Sequence, residues 1–196
     1  MKKILFAAGF FLTAFTVYSQ TEATTKSGVK VLLHQNGTWT YNDCSQLLET
    51  KTYTGGKVMT SAKENIKIST DNGVTGIDIA LIKGTEAVIL NFTNLSKAVL
   101  CVNKNAPMIV EFGDGTKTTL VNPTDLNCNG RFACFLGENL GNVKDLELLK
   151  LKKIKKVTIE YTDTENGAIK KNLSVFTFND AQADKFMKTI QCLSNL

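Results

Sequence analysis

Apolar and polar residues alternate with a period of two along most of the chain after residue 64. The stretch VTGIDIALIK, residues 74–83, places Ile77, Ile79 and Leu81 on one face. Because successive side chains of a strand point to opposite faces, this pattern predicts a half-buried strand. The same pattern predicts strands at residues 65–70, 87–92, 98–103, 107–112, 116–121, 131–136, 157–162 and 171–178. Short turns such as GDG at 113–115 predict antiparallel neighbours.

Two segments have a helical period instead. Residues 142–154 predict a short helix with Val143, Leu146, Leu149 and Ile154 facing inward. Near the C-terminus, Asn179 and Gln182 have the spacing of a capping box. The apolar residues that follow recur at steps of three and four, which is typical of one helix face: Ala183, Phe186, Met187, Ile190 and Leu193. We therefore expect an α+β fold, a largely antiparallel sheet covered by a C-terminal amphipathic helix.

The stretch VKVLLHQNGTWTY, residues 29–41, predicts a separate N-terminal β-hairpin. Its Asn-Gly pair suits a tight turn, and Trp39 and Tyr41 share one face of the returning strand. An isolated hairpin is marginally stable in water, so this face should pack on the main domain or on a second copy. Trp39, Tyr41 and the neighbouring His34 are therefore the candidate interaction residues, and a homodimer through the hairpin is one expected arrangement.

The first nineteen residues have the pattern of a secretory signal peptide. Lys2 and Lys3 precede an uncharged apolar run from Ile4 to Val17, and Ser19 is a small residue at the expected cleavage position. The run is shorter than the ~20 apolar residues that a membrane span needs. We expect an exported protein, periplasmic or extracellular, that does not span the membrane. Cleavage removes two lysines and lowers the formal charge from +5 to +3, too little to favour a nucleic-acid partner.

Composition divides the chain into four parts. Residues 1–19 form the signal peptide, and residues 20–45 form a polar tail followed by the hairpin. Residues 46–57 lack periodicity and end near Gly55 and Gly56, so we expect a linker. The α+β domain then covers residues 58–196.

Five cysteines follow the predicted signal peptide: Cys44, Cys101, Cys128, Cys134 and Cys192. An exported protein meets an oxidising compartment, where disulfides form, and an odd number leaves at least one thiol without a partner in the chain. Cys192 lies on the helix side away from the apolar stripe, which favours a bond to a neighbouring loop. We expect Cys128–Cys192, with Cys128–Cys134 as the alternative; five free thiols is the competing interpretation.

Candidate chemistry is sparse. The single histidine leaves few routes to a nucleophile–base pair, and the cysteine spacing gives no zinc motif, so we expect no cofactor or metal. Four acids on or near strands, Glu111, Asp114, Glu160 and Asp163, keep a two-carboxylate hydrolase as an alternative. A lysine-rich stretch is either a patch for anionic surfaces or a solvated helix end: Lys150, Lys152, Lys153, Lys155 and Lys156.

The hairpin resembles a G-x-x-V-x-L-x-x-x-G-T-W-x-Y stretch near the mature start of many small exported proteins of the Bacteroidetes. The matching positions are Gly28, Val31, Leu33, Gly37, Thr38, Trp39 and Tyr41. The C-terminal part, with NCNG, FACFL, LLKLKKIKKVTIEY and a helix ending in CL, is similar to an uncharacterised domain of the same proteins. The resemblance implies the compartment and the fold, and it implies no active-site residues.

These observations favour a non-catalytic exported binding or interaction module of the bacterial envelope. Its expected partner is an envelope protein or a glycan. The alternatives are the two-carboxylate hydrolase and a purely structural envelope protein. A hydrolase needs a cleft in which two acids meet and one has a raised pKa.

Overall fold

The computed structural model describes residues 21–24, 30–35, 37, 39–41, 43–52, 58–70, 75–140, 142–165 and 168–196. The predicted signal peptide, residues 1–19, lies outside the described residues. The described chain forms three antiparallel sheets and two α-helices, which confirms the expected α+β class. Neither of these helices has the length and apolar character needed to cross a bilayer.

The largest sheet has six strands built mainly from alternating apolar segments. Its strands are β4 (Leu48–Thr52), β5 (Val58–Ala62), β6 (Ile66–Thr70), β7 (Thr75–Lys83), β8 (Val88–Asn94) and β11 (Arg131–Leu136). The order is β11-β8-β7-β5-β4, and β6 pairs with β7 as well. The nine-residue strand β7 therefore has β8 along one edge, with β6 and β5 in succession along the other.

A second sheet of four strands packs against the same core. It consists of β9 (Pro107–Phe112), β10 (Lys117–Val121), β12 (Ile154–Glu165) and β13 (Ala168–Thr177), in the order β10-β9-β12-β13. Gly115 has a φ of 82° in the turn between β9 and β10, a conformation that favours glycine. The alternation predicts the buried face correctly, because Met108, Val110, Val157 and Ile159 are all buried.

The C-terminal helix α2 (Asp180–Ser194) is the element that joins the parts. Asn179 and Gln182 form the predicted capping box, with both hydrogen bonds at 2.9 Å. The predicted stripe is buried: Ala183, Phe186, Met187, Ile190 and Leu193. The helix contacts β6 and β7 of the large sheet, β12 of the four-stranded sheet and β3 of the N-terminal ribbon. The predicted role of this helix is confirmed.

The short helix α1 (Val143–Leu151) is smaller than predicted. Leu146 and Leu149 are buried as expected, but Val143 is 38% exposed. Lys152 is already extended, and Ile154 begins β12, where it is buried in the sheet. The lysine-rich segment therefore spans a helix end and a strand start.

The N-terminal ribbon has three strands: β1 (Thr21–Thr24), β2 (Lys30–Leu33) and β3 (Trp39–Tyr41). The predicted hairpin is present, with Val31 opposite Tyr41 and Leu33 opposite Trp39. Gly37, in the turn, has a φ of 79°, as the Asn-Gly signal requires. Strand β1, in the part expected to be a polar tail, adds to the outer edge of β2.

Two other segments differ from their predictions. The expected linker, residues 46–57, contains β4, which pairs with β5 at the edge of the large sheet. An edge strand is held by backbone bonds along one side, so its side chains need no regular apolar pattern. The predicted strand at 98–103 is not a strand; only Cys101 and Val102 make isolated bridges, to Thr162 and Asn127.

The predicted disulfide pairings, Cys128–Cys192 and the alternative Cys128–Cys134, are wrong. The structure pairs Cys44 with Cys192 and Cys101 with Cys128, and Cys134 is a buried free thiol. Cys192 does bond to a loop, but the loop that reaches it follows the N-terminal ribbon. Cys134 lies on the inner face of β11, where it packs as a small apolar side chain.

Because the side chain of Phe186 is 1% exposed in the shared core, Phe186→Ala should lower the free energy of unfolding by about 3–5 kcal/mol. Leu126→Ala is the control, since Leu126 is 61% exposed and its truncation should change stability by no more than about 0.5 kcal/mol. Urea unfolding of both variants measures the difference. Equal effects would contradict the position of α2.

The two disulfides close loops of very different length, 148 and 27 residues apart in sequence. Loop entropy then predicts a loss of about 5 kcal/mol for the paired Cys44→Ala and Cys192→Ala variant, against about 3.5 kcal/mol for Cys101→Ala with Cys128→Ala. Denaturant unfolding of the two double variants tests the order. A larger cost for the short loop would show that another interaction dominates.

Candidate functional site

The predicted interaction residues of the hairpin are used inside the molecule. Tyr41 and Val31 are buried with Cys192 in a small second core, and Trp39 packs against it. The Trp39 and Tyr41 rings meet edge to face with centroids 5.1 Å apart, and the Lys188 Nζ of α2 lies 5.0 Å from the Tyr41 ring centroid. Helix α2 therefore covers the aromatic face, the intramolecular arrangement that the sequence predicted beside the homodimer.

Tyr41 is held as a neutral phenol by this packing. Burial, with a smaller contribution from the charge of Asp184, raises the pKa of Tyr41 to about 12. His34 is half-buried at the end of β2, and its carbonyl accepts a hydrogen bond from Gly37 in the turn. Tyr41 and Trp39 pack the ribbon onto α2, and they do not form an open aromatic surface.

Each lysine of the candidate anionic-surface patch has a carboxylate partner within the chain. The pairs are Lys150–Glu147 at 2.7 Å, Lys152–Asp114 at 2.7 Å, Lys153–Asp184 at 2.7 Å, Lys155–Glu111 at 3.9 Å and Lys156–Glu111 at 3.2 Å. Four carboxylates face the five lysines, because Lys155 and Lys156 share Glu111. Most of the positive charge is therefore offset, so the segment has less attraction for an anionic surface than its sequence suggests. This arrangement favours the second interpretation of the lysines, a solvated helix end and strand edge.

Two of the four candidate acids, Glu111 and Asp114, do not have the environment of catalytic carboxylates. Lys156 donates to Glu111 and lowers its pKa, and Lys152 does the same for Asp114. Glu160 pairs with Lys171 at 2.8 Å. A hydrolase that uses two carboxylates needs one raised pKa, so that this acid carries a proton. The pKa values of Glu111 and Asp114 are lowered instead.

The free thiol is no better placed for catalysis. Cys134 is 2% exposed, and burial raises the pKa of its thiol to about 12. The reactive form of cysteine is the thiolate, so Cys134 is inert at neutral pH. Within the described residues, no group of three or more histidine, cysteine, aspartate or glutamate side chains could hold a metal ion.

A groove with a volume of about 740 Å³ lies between the two large sheets. The end of β6 and the start of β7 form one wall, and β13 forms the other. The segment after β8 and the start of α2 also contribute. Its lining is Ile68, Ser69, Thr75, Gly76, Asn94, Ser96, Ala98, Leu100, Asp163, Asn172, Ser174, Val175, Phe176, Thr177, Phe178, Asn179 and Gln182. We name this feature the inter-sheet groove.

Local backbone geometry sets the shape of the groove. Gly76 has a φ of 143°, and a Cβ there would collide with the carbonyl oxygen of Ile68. Only glycine fits this close approach of β6 and β7. The carbonyl of Gly76 accepts a hydrogen bond from Leu95, which holds the segment after β8 against the wall.

The chemistry of the groove is almost free of charge. Among the described residues that line it, Asp163 is the one charged side chain, and the others are small polar or apolar groups. The Ser96 side chain contributes a buried oxygen that has no hydrogen-bond partner in the described structure. An uncharged ligand that brings hydrogen-bonding groups and apolar side chains matches this lining.

Of the groove residues, Asp163 was a candidate from the sequence, as one of the four acids of the hydrolase alternative, and the groove itself was not predicted. Two signals were present: Gly76 inside a strand pattern, which marks a close backbone approach, and the uncharged stretch NLSVFTF at 172–178. Neither signal indicates which strands lie opposite each other. The groove exists because β6 and β13, about a hundred residues apart in sequence, both end their sheets at one place.

No family model, no curated protein and no solved structure matches this chain. A function therefore has to follow from the groove, from the ribbon and from the balance of charges described above.

The raised pKa of Tyr41 makes stability depend on pH. The ordinary pKa of an exposed tyrosine is 10.0, whereas the pKa of Tyr41 in the folded protein is about 12. The folded state therefore retains the phenol proton more strongly than the unfolded state. The stability that this retention contributes is fully present below pH 10 and is lost as the pH rises through 12. Tyr41→Phe should reduce the fall in unfolding free energy across this window.

Urea unfolding at a series of alkaline pH values measures the effect. Burial raises the pKa of Tyr161 and Cys134 to about 12 as well, so part of the fall should remain in the variant. At neutral pH the stability difference between the two proteins should be constant, because Tyr41 is then uncharged in both states. Identical slopes for both proteins above pH 10 would contradict the burial of Tyr41.

Proposed function

We propose that this chain is a non-catalytic exported recognition module of the bacterial envelope, and that the inter-sheet groove is its ligand site. The observation that carries the proposal is the groove itself, with its volume of about 740 Å³ and its nearly uncharged lining. Ligand sites in proteins typically occupy roughly 300–1,000 Å³ and are lined mainly by apolar groups with a few placed polar ones.

Two further observations support recognition over catalysis. Glu111 and Asp114 pair with lysines that lower their pKa values, which disfavours general acid catalysis. The free thiol is buried and protonated at neutral pH. Glu111, Asp114 and Cys134 are among the groups through which a hydrolytic or nucleophilic mechanism would act, and at these three the surroundings oppose it.

Export is supported by the cysteine chemistry. Two disulfides are formed, and such bonds persist mainly in oxidising compartments outside the cytoplasm. One of them fastens the segment after the N-terminal ribbon to α2. The resemblance of the hairpin to exported Bacteroidetes proteins agrees with this compartment.

Filling the groove should weaken binding. Ala98 lines the groove and is exposed, so Ala98→Trp should place an indole in it without disturbing the core. The matched control is Val99→Trp, because Val99 is 67% exposed and does not line the groove. We expect the unaltered protein to bind members of an array of uncharged capped peptides and neutral oligosaccharides.

Affinities measured by calorimetry should fall at least tenfold in Ala98→Trp and stay within twofold in Val99→Trp. A purely structural protein predicts no binding to any member of the array, and that result would contradict the proposal. Turnover of any array member, lost on replacing Glu111 or Asp114 with the corresponding amide, would favour the hydrolase instead.

A further inference from the structure

The two long walls of the inter-sheet groove are strand edges. Strand β13 is the last strand of the four-stranded sheet, and β6 pairs only with β7 among the described strands. A strand at the edge of a sheet has a row of backbone donors and acceptors without a strand partner. Backbone hydrogen bonds in the structure show to which side of its strand each residue directs its N–H and C=O groups.

On β13, the backbone N–H and C=O groups of every second residue point into the groove. The Phe178 N–H donates to the Lys155 carbonyl at 2.9 Å, so Phe178 faces β12. Backbone direction alternates along an antiparallel strand, and Phe176 and Ser174 therefore face β12 as well. The N–H and C=O groups of Leu173, Val175 and Thr177 then point away from β12, toward the free edge.

A second bond confirms this alternation. Thr162 of β12 exchanges two backbone bonds of 2.8 Å with Cys101, on the side of β12 away from β13. Its cross-strand partner on β13 is Lys171. The backbone groups of Lys171 therefore point to the free edge. Val175 and Thr177 lie an even number of residues further along β13, so their backbone groups point the same way.

The β6 wall has its own outward groups, but fewer of them. The Lys67 carbonyl accepts a hydrogen bond of 2.7 Å from the Gln182 side chain of α2. The backbone groups of Ser69 point to the same side as those of Lys67, away from β7. Gly76 is the cross-strand partner of Ser69, and its carbonyl accepts from Leu95 on the side of β7 away from β6. Part of the β6 edge is thus already occupied by α2, so β13 is the edge that remains available.

The groove segment of β13 also lacks the usual protection of an edge. Exposed edges are normally blunted by charged residues, proline or bulges. Other edges of the two large sheets have such charges, at Glu49 and Lys51 in β4, Lys117 in β10 and Arg131 in β11, and β13 itself has Lys170 and Lys171 before the groove segment. Residues 172–178 have none, although they are rich in β-favouring residues.

We propose that the inter-sheet groove binds an extended, uncharged polypeptide segment, which adds as a fifth strand to the edge of β13. This inference rests on the proposed recognition function and names its ligand class. The segment bonds to the outward groups of Leu173, Val175 and Thr177, as in other cases of strand addition. Residues 172–178 extend over roughly 20 Å at about 3.3 Å per residue, so the ligand is six or seven residues long.

The surroundings favour a single strand over a second copy of this chain. The groove is bounded on its other side by β6 and the start of α2, so a partner that brought its own sheet edge would meet these elements. The nearly uncharged lining disfavours ligands whose binding depends on charge, such as anionic glycans. The backbone amides and carbonyls of a peptide form hydrogen bonds with the groove walls without carrying a charge.

The probe is a synthetic library of capped heptapeptides made only of uncharged residues. We expect Val175→Lys to weaken binding of the selected peptides at least tenfold, because a charge then lies at the edge. Ile109→Lys is the matched control, since Ile109 is exposed to a similar extent on the same sheet face but lies in an interior strand. Its affinity should stay within twofold of the unaltered protein.

Methylated peptides test the strand geometry directly. N-methylation of alternate peptide amides, those that face β13, should reduce affinity at least tenfold, while methylation of the intervening amides should have a smaller effect. In the protein, peptide addition should slow amide exchange of Val175 and Thr177 at least tenfold. The amides of Ser174 and Phe176, which face β12, should exchange slowly throughout. Thr177→Lys provides a second edge variant should Val175→Lys unfold.

Each other outcome has a defined consequence. Neutral oligosaccharides that bind in an Ala98→Trp-sensitive way, with no effect of Val175→Lys, would overturn strand addition and leave the recognition function. Self-association that Val175→Lys abolishes would assign the edge to a second copy and overturn the peptide ligand. Failure of every peptide and oligosaccharide to bind would overturn both proposals.

Discussion

Burial of the C-terminal helix is the interaction on which the rest of the structure depends. Helix α2 contacts the six-stranded sheet, the four-stranded sheet and the N-terminal ribbon. Its side chains Phe186 and Ile190 are almost fully removed from water, and burial of apolar side chains of this size contributes about 1.5–3 kcal/mol each before entropy. Without this helix, the two sheets and the ribbon would each expose an apolar face.

The same helix sets the boundaries of the groove. Its first turn, with Asn179 and Gln182, closes one part of the opening, and Gln182 also occupies a carbonyl on the β6 edge. At its other end, Cys192 is bonded to Cys44, and Lys188 lies over Tyr41. Helix α2 therefore fixes the ribbon and joins the two large sheets, and it leaves the β13 edge of the groove available.

The distribution of charge explains why recognition in the groove should depend on backbone and shape. Four acids, one on the same helix and three on other elements, pair with the five lysines of the lysine-rich segment, so most of its positive charge is offset. The groove has almost no charged side chains of its own. A ligand is then selected by hydrogen bonds and by the fit of uncharged side chains, which act at short range.

Local pattern was enough to predict much of this protein. The period of two along 74–83, the Asn-Gly turn of the hairpin and the capping box at Asn179 each depend on residues close in sequence, and each was confirmed. Edge strand β4 and strand β1 were missed because pairing along one side leaves a weak apolar pattern. The disulfides and the inter-sheet groove were decided by tertiary structure alone. Cys44 meets Cys192, and β6 lies across from β13, only after a hundred or more intervening residues have folded, and no local spacing encodes such a meeting.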